Sequence, residues 1–143
     1  MNDVIVVGTD GSATADAAVQ RAAALAKLTG ARVELVSGYR NDYSLAMATG
    51  MASGNLAEDA RKAADGCLEQ TAAKLRSGGL EVETHCMGGD PAEALIDVAE
   101  ATHADLIVVG SKGMQGGRRF LLGNVPNKVS HHAPCSVMIV RTA

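Results

Sequence analysis

Residues 4–38 read VIVVGTDGSATADAAVQRAAALAKLTGARVELVSG, and their order decides the fold. Val4 to Gly8 is a short β-branched run stopped by glycine, which predicts a buried strand. Thr9-Asp10-Gly11-Ser12 is turn chemistry, with Ser12 placed to cap a helix. From Ala13 to Leu28 apolar residues recur at helical spacing, and the predicted buried face is Ala17, Ala18, Arg21, Ala22, Leu25 and Leu28. Thr29-Gly30 closes that helix at a glycine C-cap. Arg32 to Gly38 is a second strand, so the stretch is one βαβ unit, whose crossover is expected to be right-handed.

The same alternation continues outward. Asn41 to Gly54, with Met47 and Met51, has no clean period and reads as a loop. Asn55 to Arg76 is predicted as a long helix with Leu56, Ala60, Ala63, Ala64, Cys67, Leu68, Thr71, Ala72 and Leu75 on one face. Leu80 to Met87 is a third strand. Asp90, Pro91 and Glu93 then supply an N-cap, a proline suited to the first helical position and an acidic residue three places on. Ala94, Leu95, Val98 and Ala99 form the buried face of that helix, and His103 is expected to end it. Ala104 to Gly110 is the most apolar strand and is expected to be central. Ser111 to Gly123 is a glycine-rich loop, Asn124 opens a short helix with Pro126 near its start, and Ser136 to Arg141 is the fifth strand. Five strands alternating with helices predict an α/β, doubly wound parallel five-stranded sheet, in one domain over 1–143.

Composition agrees with that architecture. Apolar residues make up 47% of the 143 and aromatic residues only 2%, so the core is built from Val, Ile, Leu, Ala and Met. Net charge is −3, with no basic stripe or tail, which argues against nucleic acid as a partner. Cys67, Cys86 and Cys135 are odd in number and contain no CxxC pair, which argues against a disulfide framework or a zinc site. No long apolar run reaches the length of a membrane span and no signal-peptide pattern opens the chain, so a cytoplasmic location is expected. His131 and His132 are adjacent on a helix and face different ways, so no metal pair is expected there. No catalytic centre is recognised in the sequence.

In open α/β sheets ligands bind beyond the carboxyl ends of the strands, where strand order reverses. The unusual residues fall there: Asp10-Gly11-Ser12 after strand 1, Gly110-Ser111-Lys112-Gly113 after strand 4, and Gly123-Asn124 at a helix start. Glycines allow backbone N–H groups to approach a phosphate, and a helix N-terminus supplies positive potential. Lys112, Arg118 and Arg119 can add charge, while the Asp10 carboxylate can hydrogen-bond an adenine or ribose edge or face a magnesium ion. Each feature also has a plain structural explanation, since glycine serves tight βα turns and Asp10 suits an Asx turn. Neither GxxxxGK[ST] nor a strand-linked GxGxxG is present, which leaves the ordinary NTPase and dinucleotide readings weak.

The pattern Gly110-x2-Gly113-x9-Gly123-Asn124, with VIVVGTDGS at the start and HAPCSVMIVR at the end, resembles the universal stress protein family. The resemblance covers the whole chain. It implies a Rossmann-like sheet, of the adenine nucleotide alpha hydrolase-like kind, in the order 3-2-1-4-5. It also implies a homodimer paired along strand 5, here Val137, Met138, Ile139 and Val140. By resemblance to ATP-binding members, Thr9, Asp10, Gly11 and Gly38 lie near base and sugar, with Ser12 counted in the same site. Val109, Gly110, Ser111, Lys112, Gly113, Gly123, Asn124 and Val125 lie near ribose and phosphates.

Two positions depart from the family pattern: Asn124 replaces a hydroxyl residue, and Pro126 offers no N–H. Both weaken a polyphosphate cradle and keep AMP or cyclic AMP close behind ATP as the ligand. The expected role is that of a regulator or sensor in stress response. The rivals are a slow, magnesium-dependent ATPase or autophosphorylating protein, and a partner-binding protein without nucleotide.

Overall fold

The structure, a computed structural model, describes residues 3–39, 56–111 and 124–141. Five strands, β1 (Val4–Gly8), β2 (Arg32–Tyr39), β3 (Val82–Gly88), β4 (Leu106–Gly110) and β5 (Ser136–Val140), form one sheet in the order β3-β2-β1-β4-β5. All four pairings are parallel. Four helices are described between them: α1 (Ala13–Thr29), α2 (Leu56–Ser77), α3 (Pro91–Thr102) and α4 (Asn124–His132). The expected fold class and strand order are those observed. β4 is an interior strand, paired with both β1 and β5, and β1 is the middle one, because the chain turns back past β1 to lay down β4 on its other side.

Side chains alternate between the two faces, and each face has its own core. Ile5, Val7, Val33, Leu35, Leu106 and Val108 meet α1 and α2, where Val19, Ala22, Ala26, Leu68 and Ala72 are buried. Val6, Val36, Ile107 and Val109 meet α3 and α4 through Ala92, Leu95, Val98, Ala99 and Val129. Strands buried on both sides account for the continuous apolar runs of β1 and β4.

The buried stripe of α1 is Ala18, Val19, Ala22, Ala23 and Ala26. Of the predicted stripe, Ala18 and Ala22 are buried and Ala17 and Leu25 pack against the core, whereas Arg21 is exposed and Leu28 is 84% exposed. Residues 27–30 all lie open where the helix runs off the sheet, and alanines let the preceding turns sit close to the strands. Gly30 caps α1 in the left-handed region (φ 76°), its N–H donating to the Ala26 carbonyl at 2.8 Å. On α2, Leu68, Ala72 and Leu75 are buried, whereas Ala63 is exposed and Cys67 is only half-buried. β3 begins at Val82, two residues later than predicted, because Leu80 N–H donates back to the Leu75 carbonyl in the turn after α2. The cysteines are free thiols. Within β3, His85 and Cys86 face opposite ways as expected. His85 meets Glu34, while Cys86 packs against the α1/α2 core.

Candidate functional site

Parallel strands bring the starts of α1, α3 and α4 to the carboxyl edge of the sheet, around the ends of β1, β2 and β4. Strand order reverses between β1 and β4. Beyond β1 the chain keeps one more ladder bond, Thr9 N–H to the Val36 carbonyl at 2.8 Å, which leaves Thr9 only 7% exposed. Asp10 is exposed and closes an Asx turn, its Oδ1 accepting from Ser12 N–H at 2.8 Å. Gly11 takes φ +81°, a conformation glycine adopts without a steric penalty. Ser12 is the N-cap of α1, its Oγ accepting from Ala15 N–H at 3.2 Å. Asp10 and Ser12 are therefore engaged in turn and cap, the plain structural roles weighed above. The second carboxylate oxygen of Asp10 has no protein partner among the described residues.

The glycines at the strand ends have packing reasons. A methyl group on Gly110 would lie 2.7 Å from Thr14 Cγ2 and 3.1 Å from the Thr14 carbonyl oxygen. This close approach sets the first turn of α1 against the end of β4, so the two proposed halves of the crevice touch. A methyl group on Gly38 would lie 3.0 Å from Pro91 Cα, so the end of β2 abuts the first residue of α3. Val109 is buried in the α3/α4 core, and only its backbone can face a ligand. Ser111 N–H donates to the Val140 carbonyl at 2.8 Å and is committed to the sheet.

Asn124 is exposed as the first residue of α4, and Val125 is half-buried against the α3/α4 core. Pro126, the third residue of α4, is fully buried. Lys112, Gly113 and Gly123 fall outside the described residues, as do Arg118, Arg119, Met47 and Met51. The structure thus brings Thr9, Asp10, Gly11, Ser12, Gly38, Val109, Gly110, Ser111, Asn124 and Val125 to one edge of the sheet.

Two charged groups were missed in the sequence reading. Lys128 Nζ donates to Asp90 Oδ2 at 3.0 Å and to Glu93 Oε1 at 3.1 Å, tying α4 to the start of α3. Asp90 Oδ2 also accepts from Glu93 N–H at 3.3 Å, the cap that the sequence predicted. Hydrogen bonds to Asp90 and then Glu93 hold the Lys128 ammonium above the usual lysine range. The second is Glu34, 2% exposed within β2, whose two oxygens accept from Arg32 Nε and meet His85 Nε2, both at 2.7 Å. A buried carboxylate is retained where it is paired and hydrogen-bonded on both oxygens. The Lys128 partners lie on another helix and the His85 partner of Glu34 lies across the sheet, so only Arg32, two residues before Glu34 on β2, is a local neighbour. Among the described residues no cluster of three His, Cys, Asp or Glu is arranged to hold a metal ion. Likewise, no described helix is long and apolar enough to cross a membrane.

The family model of the universal stress protein family matches residues 1–141. The chain belongs to that family. Universal stress protein Rv1636 of Mycobacterium tuberculosis is 34% identical over 144 aligned positions, covering 96% of this chain and 95% of the relative. Among solved structures, a universal stress protein in complex with cAMP aligns over 99% of both chains at 27% identity, with a TM-score of 0.75. The universal stress protein from Archaeoglobus fulgidus in complex with dAMP aligns over 94% of both chains at 25% identity, with a TM-score of 0.69. Both of those relatives hold an adenine nucleotide with a single phosphate.

Proposed function

We propose that this universal stress protein binds an adenine nucleotide in the crevice between the ends of β1 and β4, preferring a monophosphate, AMP or cyclic AMP, to ATP. Its role is that of a cytoplasmic regulator or sensor, exerted by binding rather than turnover. Base and sugar lie against Thr9, Asp10, Gly11 and Gly38. The phosphate lies toward Gly110, Ser111 and the start of α4 at Asn124 and Val125, with Ser12, Lys112, Gly113 and Gly123 completing the surround. Relatives holding cAMP and dAMP support the ligand class.

The observation that carries the preference is Pro126. The first turn of a helix binds anions through backbone N–H groups that have no partner within the helix. A proline as third residue of α4 removes one of them. Ser111 N–H, held by Val140, is also withdrawn. A single phosphate needs fewer donors than a triphosphate, so these losses fall most heavily on ATP.

Calorimetric titration of nucleotide-free protein with AMP, cyclic AMP and ATP, each with and without magnesium, tests this. Tighter binding of a monophosphate, indifferent to magnesium, is expected. Magnesium-dependent preference for ATP would overturn the monophosphate reading, and absence of heat with all three would overturn nucleotide binding. Asn124→Ser combined with Pro126→Ser should move the preference toward ATP.

A homodimer through β5 completes the proposal. Val137, Met138 and Ile139 are only half-buried on this edge strand, and a second copy paired there would cover it. Sedimentation of the wild type against Ile139→Lys reads that out, a dimer in the first and a monomer in the second being expected.

A further inference from the structure

α3 and α4 lie on the same face of the sheet, and both begin at its carboxyl edge. Each start carries positive partial charge from its unpaired N–H groups. At α3 that charge is already answered by the chain itself, through Asp90 as cap and Glu93 in the first turn. These two carboxylates stand beside α4, within hydrogen-bond reach of its Lys128. No acidic residue lies in the first turn of α4. Lys128 is the fifth residue of α4, whose start is where the proposed site receives phosphate, and its side chain leans back along that helix to meet the carboxylates at the start of α3. Without Lys128, two carboxylates near α4 would have only the partial positive charge of the α3 start against them.

We propose that Lys128 sets how much phosphate charge the α4 end of the site tolerates, and is therefore a specificity-determining residue that sorts adenine nucleotides by charge. This rests on the nucleotide reading above and extends it. Lys128 need not touch the ligand. Its hydrogen bonds to Asp90 and Glu93 cancel one of their two negative charges and fix the ammonium beside the helix start. The half-exposed setting makes the effect modest and salt-dependent. The penalty for losing Lys128 grows with ligand charge, so singly charged cyclic AMP suffers least, doubly charged AMP more, and ATP most. A clamp that merely held α4 in place would cost all three ligands the same factor.

The test is calorimetric titration of wild type, Lys128→Gln, Lys128→Arg and Glu93→Gln with cyclic AMP, AMP and ATP at low ionic strength, repeated at high salt. Lys128→Gln should weaken binding by about twofold per unit of ligand charge, Lys128→Arg should restore it, and high salt should compress the differences. Glu93→Gln removes one of the two carboxylates, and it should strengthen binding in the same ligand order. Loosening of α4 would weaken it instead, so the sign separates charge from clamping. Equal loss for cyclic AMP and AMP in Lys128→Gln, or weaker binding in Glu93→Gln, would overturn the proposal while leaving the nucleotide reading intact. A wild type that binds none of the three would overturn both.

Discussion

The two ends of the sheet are built from the same strands and are closed by different mixtures of contact and hydrogen bond. At the amino edge, helices finish and strands begin, and the joints are hydrogen bonds. Asp105 Oδ2 accepts from Asp3 N–H at 2.7 Å and Val4 N–H at 3.1 Å, and the Arg76 guanidinium donates to the Val82 carbonyl at 2.8 Å. His103 and Gly30 turn the ends of α3 and α1 in the left-handed region. At the carboxyl edge hydrogen bonds such as Thr9 N–H to the Val36 carbonyl and Lys128 to Asp90 are joined by close contacts at glycine, Gly110 on Thr14 and Gly38 on Pro91. That edge also gathers helix N-termini, where an anion is favoured. The same compactness makes it sensitive to a single added carbon, whereas a lost hydrogen bond at the amino edge leaves room for water to replace it.

Gly110→Ala should have the largest effect. Its new methyl group lies 2.7 Å from Thr14 Cγ2 and 3.1 Å from a backbone oxygen, so the Thr14 side chain must turn aside and its carbonyl must give way slightly. Overpacking of this kind costs about 1–3 kcal/mol, against a gain of about 0.4–1 kcal/mol from stiffening the unfolded chain. Urea unfolding should give a clear net loss, and a smaller one for Gly38→Ala, where the nearest approach is 3.0 Å. Full stability in Gly110→Ala would mean the carboxyl edge is not closely packed, and the contrast between the two ends would fail.

Asp90→Ala ranks next, because it acts at the carboxyl edge through a hydrogen bond rather than a contact. It removes the cap on Glu93 N–H and one of the two partners of Lys128. Loss of an N-cap typically costs about 1 kcal/mol. Asp90→Asn should recover most of that, since its amide oxygen can still accept from Glu93 N–H. Equal losses in the two variants would assign the stabilisation to the ion pair instead of the cap.

The difference between the ends also separates what the sequence disclosed from what it hid. The five strands, the Ser12 and Asp90 caps, Pro91 at the start of α3 and His103 at its end were legible, because each depends on neighbours a few residues away. The importance of Gly38 and Gly110 was legible, but Gly110 was set against a phosphate and Gly38, by resemblance, against base and sugar. Their packing neighbours, Pro91 and Thr14, are set by how helices settle on the sheet. Leu28 misled for the same reason: helical spacing placed it inward, but the end of the sheet left it exposed. Lys128 and Glu34 were invisible as participants. The partners of Lys128 lie 35 and 38 residues away, and the His85 partner of Glu34 lies 51 residues away on a neighbouring strand. Of the proposed site, the described residues arrive at one edge, whereas Lys112, Gly113 and Gly123 lie outside them.

The smallest effect is expected at the amino edge, and pH separates it from the others. Backbone N–H donation from Asp3, and then from Val4, holds the Asp105 carboxyl below its usual range. A carboxylate with a depressed folded pKa adds stability above its unfolded pKa of about 3.9. That contribution is lost as pH falls through the folded value. Asp105→Asn keeps an oxygen acceptor but no charge, so it should be slightly less stable than wild type at pH 7. The gap should narrow steadily below about pH 5 as the wild-type carboxylate is protonated. Thermal unfolding midpoints of the two proteins across that range measure the gap directly. A gap that persists unchanged in acid would mean that Asp105 closes the amino edge through shape alone, leaving hydrogen bonding to charge without a part in how that end is held.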